Sequence, residues 1–263
     1  MLKRLKNLKN KDMSYRRYSD IPKVDGRNIQ FIPKSNKLIF ENISPVNNEI
    51  SKPTWWKNLS TQEGKVRRCS GISDLLSLGY TINMWSSCAI QLALDEKNWT
   101  VVFDAVNKHV VEDAELFKNE HFDYNQTGEC PMTSVREKKE ANYIKMVNPW
   151  LIKTCPGYSS LILPVMYEPN NNYSVLPAII NTDYYHHANV VLNVLTDKPF
   201  RIPYGTPMMH IIPFKRHQEN NMEILDESAY GLLEHLGFGS HYIPRIMRGL
   251  YKRTQHKADF DNV

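Results

Sequence analysis

The sequence predicts a mainly β fold, an antiparallel β-sandwich or jelly roll followed by a helical C-terminal tail. Three observations carry this. Short segments rich in β-branched and aromatic residues recur between 79 and 215, clusters of Pro, Asn, Asp and Gly separate them, and helical periodicity is sustained only beyond 219. Strands this closely spaced, without intervening helices, favour antiparallel pairing. With 263 residues, 41% of them hydrophobic, the chain can bury one large core, so a single β domain is expected over 20–218, between a basic arm (1–19) and the tail (219–263).

The arm comes first. Residues 1–17 hold Lys3, Arg4, Lys6, Lys9, Lys11, Arg16 and Arg17 against Asp12, so this segment concentrates the positive charge of a chain whose formal net charge is +5. Charge gathered at a terminus suits a polyanion or a solvated tail, and Lys3, Arg4, Lys6, Arg16 and Arg17 are the candidate polyanion contacts. Leu2, Leu5 and Leu8 recur every third residue, which allows an amphipathic turn on meeting a partner. No apolar stretch of the ~7 to 15 residues that a secretory signal needs follows the charge. No apolar run reaches the ~20 residues of a membrane helix. The expectation is a non-membrane protein of the cytosol.

From 20 to 65, short extended pieces broken by Pro22, Pro33, Pro45 and Pro53 lead to "TWWKNLS", where Trp55 and Trp56 begin a short helix and anchor a flap onto the core. Residues 79–104 predict a meander of two or three strands with a turn at Asp95–Asn98. The polar stretch 105–142 reads as an exposed excursion without strand pattern. Strands resume at "YIKMVNPWLIKT", "YSSLILPVM", "HANVVLNVL" and "FRIPYGTPMMHIIPF". "DYYHH" is expected to set alternating aromatics at a strand start, one on each sheet face. Period-two alternation puts His210 on the face of Met208 and Ile212, as a hydrogen-bonded core histidine. In the tail, Leu225, Ala229, Leu232, Leu233 and Leu236 share a helix face closed by Gly237. Arg245, Arg248, Lys252, Arg253 and Lys257 then form a basic stripe on a second helix.

Three stretches resemble the dUTPase and dCTP-deaminase family of β jelly rolls. They are "SLGYTINMWSSCAIQL", "YSSLILPVM", and "PAIINTDYYHHANVVLNVL" followed by "FRIPYGTPMMHIIPF". The resemblance implies a nucleotide site in which Asp183 and Tyr184 match family positions and Gly205 forms the turn into the closing strand. Asn181, however, stands where that family keeps the carboxylate that activates water, and an amide cannot accept that proton. The segment "PVMYEP" brings Glu168 in place of an arginine-serine pair, a charge that repels a triphosphate. "LGFGS" near the end resembles the family's glycine-rich closing motif, and a helix C-cap explains the same glycines. The overall layout, with "WWKN", "RRCSGISDLLSLGY" and "NPWLIKTCPGYSSLILP", also resembles a protein family encoded largely by tailed bacteriophages. That implies a viral origin and brings no catalytic residues.

Several functions remain open on residues alone. The first is a non-enzymatic phage-type protein of assembly or binding, with itself or other viral proteins as partners, nucleic acid as a possible partner of the arms, and no cofactor. Its candidate ligand-binding residues are Asp183, Tyr184, His187 and Gly205. The alternatives are a degenerate dUTPase-like nucleotide protein, or an Fe(II)/2-oxoglutarate oxygenase using His121, Asp123 and His187 with Arg201 or Arg216 on the 2-oxoacid. Cys69, Cys88, Cys130 and Cys155 lack the paired spacing of zinc or redox motifs and are expected as reduced thiols. P-loops and nucleophile elbows are absent from the sequence.

Overall fold

A computed structural model describes residues 29–34, 44–60, 66–92, 99–104, 119–120, 143–168, 170–216, 222 and 224. The chain divides into two compact units, Met1–His217 and Gln218–Val263. Of the described residues, only Met222 and Ile224 fall in the second. The basic arm, the helical tail with its glycines and basic stripe, and the pair His121 and Asp123 lie outside the described residues.

The described residues are mainly β, with strand far outweighing helix, and every pairing is antiparallel, as expected of an antiparallel β-sandwich or jelly roll. The strands are β1 (Ile29–Pro33), β2 (Val46–Asn47), β3 (Tyr80–Asn83), β4 (Cys88–Leu92), β5 (Trp99–Phe103), β6 (Asn119–Glu120), β7 (Tyr143–Met146), β8 (Trp150–Thr154), β9 (Tyr158–Pro164), β10 (Tyr173–Val175), β11 (Ala178–Ile180), β12 (Val190–Val194), β13 (Phe200–Ile202) and β14 (Pro207–Lys215). They form sheets ordered β11-β9-β14-β3-β2, β10-β12-β7-β6, β13-β4-β5 and β1-β8. Two helices, α1 (Thr54–Asn58) and α2 (Ser70–Ser77), lie between β2 and β3 in sequence.

Alternation explains the core. Ile82, Ile90, Ile152, Ile211 and, from one strand, Val190 and Leu192 turn inward and join Met84, Trp85, Met146 and Met209 in one buried cluster. Phe200 ties two sheets together. It stacks on Tyr173 with centroids 5.8 Å apart and tilts against Trp99 at 6.5 Å. Such pairs add about 0.5–1.5 kcal/mol beyond area burial.

Four expectations need correction. Residues 79–104 do not form one meander: β4 and β5 make a hairpin, whereas β3 pairs with β14 in another sheet. The crossover is held by Met84 and Gly205, whose backbones bond each other's neighbourhood (Met84 N–H to Thr206 O, 2.7 Å; Gly205 N–H to Met84 O, 2.9 Å). "YIKMVNPWLIKT" is two strands of different sheets, because Pro149 interrupts the ladder. The excursion is not free of strand: β6 pairs with Met146 and Lys145 of β7. "DYYHH" begins no strand. Residues 182–184 turn, and Tyr184 and Tyr185 both face outward.

α2 was not legible from periodicity. It has only eight residues, including Gly71 and three serines, and buries Leu76 alone. α1 is the helix expected from "TWWKN". Trp56 is buried while Trp55 lies across it with ring planes at 89°.

Candidate functional site

Asn181, Asp183 and Tyr184 gather at one end of the five-stranded sheet, where the turn between β8 and β9, the chain leaving β11 and the end of β14 meet. The chain turns from β8 to β9 at Gly157 (φ 83°), a conformation favouring glycine, which aims its N–H at Asp183 Oδ2, 2.9 Å away. β14 delivers Arg216, whose Nη1–H donates to Asp183 Oδ1 at 2.8 Å and whose Nη2–H donates to Asp183 Oδ2. Arg216 is held in turn by its own N–H on Gly157 O (2.8 Å) and by Nη1–H on Ser159 Oγ (3.2 Å). Its guanidinium lies over the Tyr184 ring, 5.4 Å from the centroid.

The amide of Asn181 is equally committed. Its Oδ1 accepts from Ser159 Oγ–H at 2.7 Å and its Nδ2–H donates to Tyr184 Oη at 2.7 Å. Beneath lies a chain of three buried hydroxyls. Thr154 Oγ1–H donates to Tyr158 O (3.1 Å), so its oxygen accepts from Thr182, and Thr182 accepts from Ser160, each contact being 2.9 Å. One proton per hydroxyl sets that direction. Every polar group in the cluster thus has an internal partner.

The Arg216 guanidinium, bonded to both carboxylate oxygens, holds the Asp183 carboxyl below the usual carboxylate range, and the Gly157 N–H adds to this against the opposing effect of burial. A carboxylate of depressed pKa, with both oxygens occupied, is a poor base. Arg216 therefore binds a carboxylate bidentately, as its planar fork favours, but the carboxylate is internal. Arg201, the other candidate for a 2-oxoacid, pairs with Asp104. Burial, with help from Asp104, pushes the Cys88 thiol up to about 12, so it stays protonated and inert. Cys69 and Cys155 are also free thiols.

Of the four predicted ligand residues, two meet. Asp183 and Tyr184 are in the lock, and His187, exposed, sits by Tyr185 with ring centroids 6.0 Å apart. Gly205 does not join them. It precedes β14 while Arg216 follows it, so roughly 30 Å of strand separates the two, at ~3.3 Å per residue. Ser159 and Gly157, which complete the lock, carry no sequence signal. Among the described residues no three His, Cys, Asp or Glu side chains converge as a metal site would need.

Gly205 instead lines a second place, a trough of about 540 Å³ on the β2-β3-β14 face beneath α1. A β-bulge at Met208 shifts the β14 register against β3, so that Pro207 pairs with Asn83 but Met209 with Ile82. Strict alternation would put His210 and Pro207 on opposite faces; the bulge brings both into the trough. His210 is 4% exposed, and its Nε2–H donates to the Leu78 carbonyl. It is thus the hydrogen-bonded core histidine expected, though at a cavity wall. Burial lowers its pKa, only partly offset by the Leu78 bond, so the ring is neutral at neutral pH.

No family model matches the chain, and no curated protein matches it. Among solved structures it is similar to the native EIAV dUTPase, with 10% identity and TM-score 0.30 over 57% of this chain and 84% of that one. It is also similar to a mutant dUTPase from phage phi11 of S. aureus, with 6% identity and TM-score 0.32 over 76% of this chain and 97% of that one. Overlap this loose transfers no residue role, so the chain is described by its own architecture: a mainly β, antiparallel fold with weak structural resemblance to viral and phage dUTPases.

Proposed function

We propose that this chain is a non-enzymatic, phage-type β-sandwich protein that works by binding and self-assembly. The observation that carries the reading is the closed Asp183–Arg216 lock. The carboxylate nearest to a family-like catalytic position is bonded on both oxygens, and its neighbour Asn181 is an amide tied to Ser159 and Tyr184. The cluster fastens three chain segments and offers no free base.

The same segment carries the surface for assembly. β11 ends the strand order of its sheet and exposes Ile179 (63%), and the turn after it exposes Tyr184 (65%) and Tyr185 (56%). Tyrosines and a large aliphatic side chain beside a sheet edge suit a protein partner, because aromatic groups are enriched at interface cores and an edge strand has unpaired backbone groups to offer. The partner proposed is a second copy of the chain.

Light scattering after size-exclusion chromatography tests this. The full chain is expected to run as an oligomer, and Ile179→Asp with Tyr185→Ser to shift it to the monomer without changing the melting temperature by more than about 1–2 °C. A wild-type monomer at all concentrations overturns self-assembly. Incubation with dUTP and Mg²⁺ tests the other half. No turnover is expected from the wild type or from Asn181→Asp, since the restored carboxylate would still lie beside a locked Asp183. Turnover by the wild type would establish the nucleotide-hydrolase alternative.

A further inference from the structure

We infer that the trough beneath α1 is a binding site for a small monocarboxylate with a compact apolar body and a hydrogen-bond donor. Four features on its walls carry this. Lys52 comes first. Its ammonium has three N–H donors, of which one goes to Ser73 O (3.1 Å) and one to Ser77 Oγ. Both acceptors are neutral, and Lys52 has no carboxylate partner among the described residues. A held cation with a free donor and no counter-ion among the described residues, on the wall of a cavity, is a ready place for an anion. Lys57, exposed, adds a second positive charge to the same lining.

The second feature is His210. A carbonyl can only accept, so the nitrogen facing Leu78 is the protonated one and Nδ1 is an acceptor. Nδ1 has no partner among the described residues, and the ring lines the trough. A ligand N–H or O–H is what it fits. Third, Pro53, Trp55, Val165 and Met166 give the trough apolar walls around those polar points. A volume of about 540 Å³ falls within the ~300–1,000 Å³ of small-molecule sites, which pair apolar walls with a few placed polar groups.

The fourth feature is backbone strain between two lining residues, Met166 and Glu168. Tyr167 has φ 59°, the only positive φ of a non-glycine residue among the described residues, and its ring packs on Trp55 at 5.9 Å. Such a conformation is strained for a bulky residue and persists where the surrounding structure fixes it. Here it presents Met166 and Glu168 to the trough. Glu168 also sets the charge class. With two lysines and one glutamate on the walls, a monoanion is matched, whereas a dianion would meet Glu168 as well as the lysines. A second cavity of about 430 Å³ shares Val165, Glu168 and Pro207 with the trough, leaving room for a longer ligand body.

Calorimetric titration of the full chain with 4-hydroxybenzoate, 4-hydroxybenzamide and phenyl phosphate tests the inference. The first offers a carboxylate, a hydroxyl donor and a ring that can lie on Trp55; the second removes the charge and the third doubles it. 4-Hydroxybenzoate is expected to bind at least about tenfold more tightly than either, a ratio on the scale of one charge-assisted contact. Lys52→Met should erase the preference for acid over amide, and Lys57→Met should reduce it. Lys52 also tethers α2, so the comparison of acid with amide on the unmodified protein keeps the test independent of folding. Equal binding of acid and amide, phenyl phosphate binding as tightly as the acid, or no binding by any of the three at about 10 mM overturns the inference.

Discussion

Gly79→Ala is expected to be the most damaging small substitution in the described residues, lowering the melting temperature by at least about 6–12 °C. Gly79 has φ 69°, and a Cβ there would lie 2.2 Å from Ile211 O and 3.1 Å from Ile211 C. Neither atom can step aside, because Ile211 belongs to β14, which is hydrogen-bonded on both sides in the middle of the five-stranded sheet. The new methyl must therefore part β3 from β14 where Tyr80 pairs with Ile211. Gly79 O also accepts the Asn48 N–H (3.1 Å), and the adjacent Leu78 carbonyl accepts from Asn48 Nδ2 (3.0 Å) and His210, so the trough floor moves with it.

Strain of this kind and a main-chain clash together cost more than about 3 kcal/mol, which at ~2–4 °C per kcal/mol gives the shift stated. Gly157→Ala and Gly205→Ala are the controls. Both positions have positive φ, 83° and 77°, but nothing lies within 4 Å of where an added methyl would sit, so only the backbone preference is lost, about 1 kcal/mol. Melts followed by circular dichroism rank the three. If Gly79→Ala melts no lower than Gly157→Ala, the close approach of β3 to β14 is wrong.

How much of this was legible differs between fold and site for physical reasons. Strands such as "CAIQL" and "WTVVF" announce themselves because alternation at period two is local, and α1 because adjacent tryptophans follow Pro53. The partner of each strand is a long-range choice, which is why β3 and β4, five residues apart, could enter different sheets unnoticed. His210 shows the same limit on a smaller scale. Its hydrogen-bonded burial followed from its setting in "MMHIIPF", but the face it shares did not, since one bulge residue changes the count. In the lock, Asp183 and Arg216 were each recognisable as residue types that bind charge. Only the fold, bringing positions 33 residues apart to the ends of adjoining segments, makes them each other's ligand. The trough was less legible still: Lys52, Tyr167 and His210 share no motif.

Asp183→Asn is expected to lower the melting temperature by about 4–8 °C near neutral pH, the second-largest effect. The carboxylate accepts from Gly157 and twice from Arg216, with side chains only 9% and 18% exposed respectively for Asp183 and Arg216. An amide gives up the charge and turns a donor toward a guanidinium that has no use for it. Losing hydrogen bonds to a charged group costs about 2 kcal/mol. The pH dependence identifies the group. Because Arg216 and then Gly157 depress the folded-state pKa of Asp183, the stability it adds is complete above the unfolded carboxyl value of about 4 and is lost as pH falls through the folded value. The gap between wild type and Asp183→Asn should therefore be constant from about pH 5 to 8 and close below about pH 4. A gap that persists at low pH would mean that the carboxylate's charge is not what fastens the segments. The same variant separates fastening from catalysis: a hydrolase built on Asp183 would have turnover to lose on substitution, whereas a fastening loses melting temperature and has no turnover to lose.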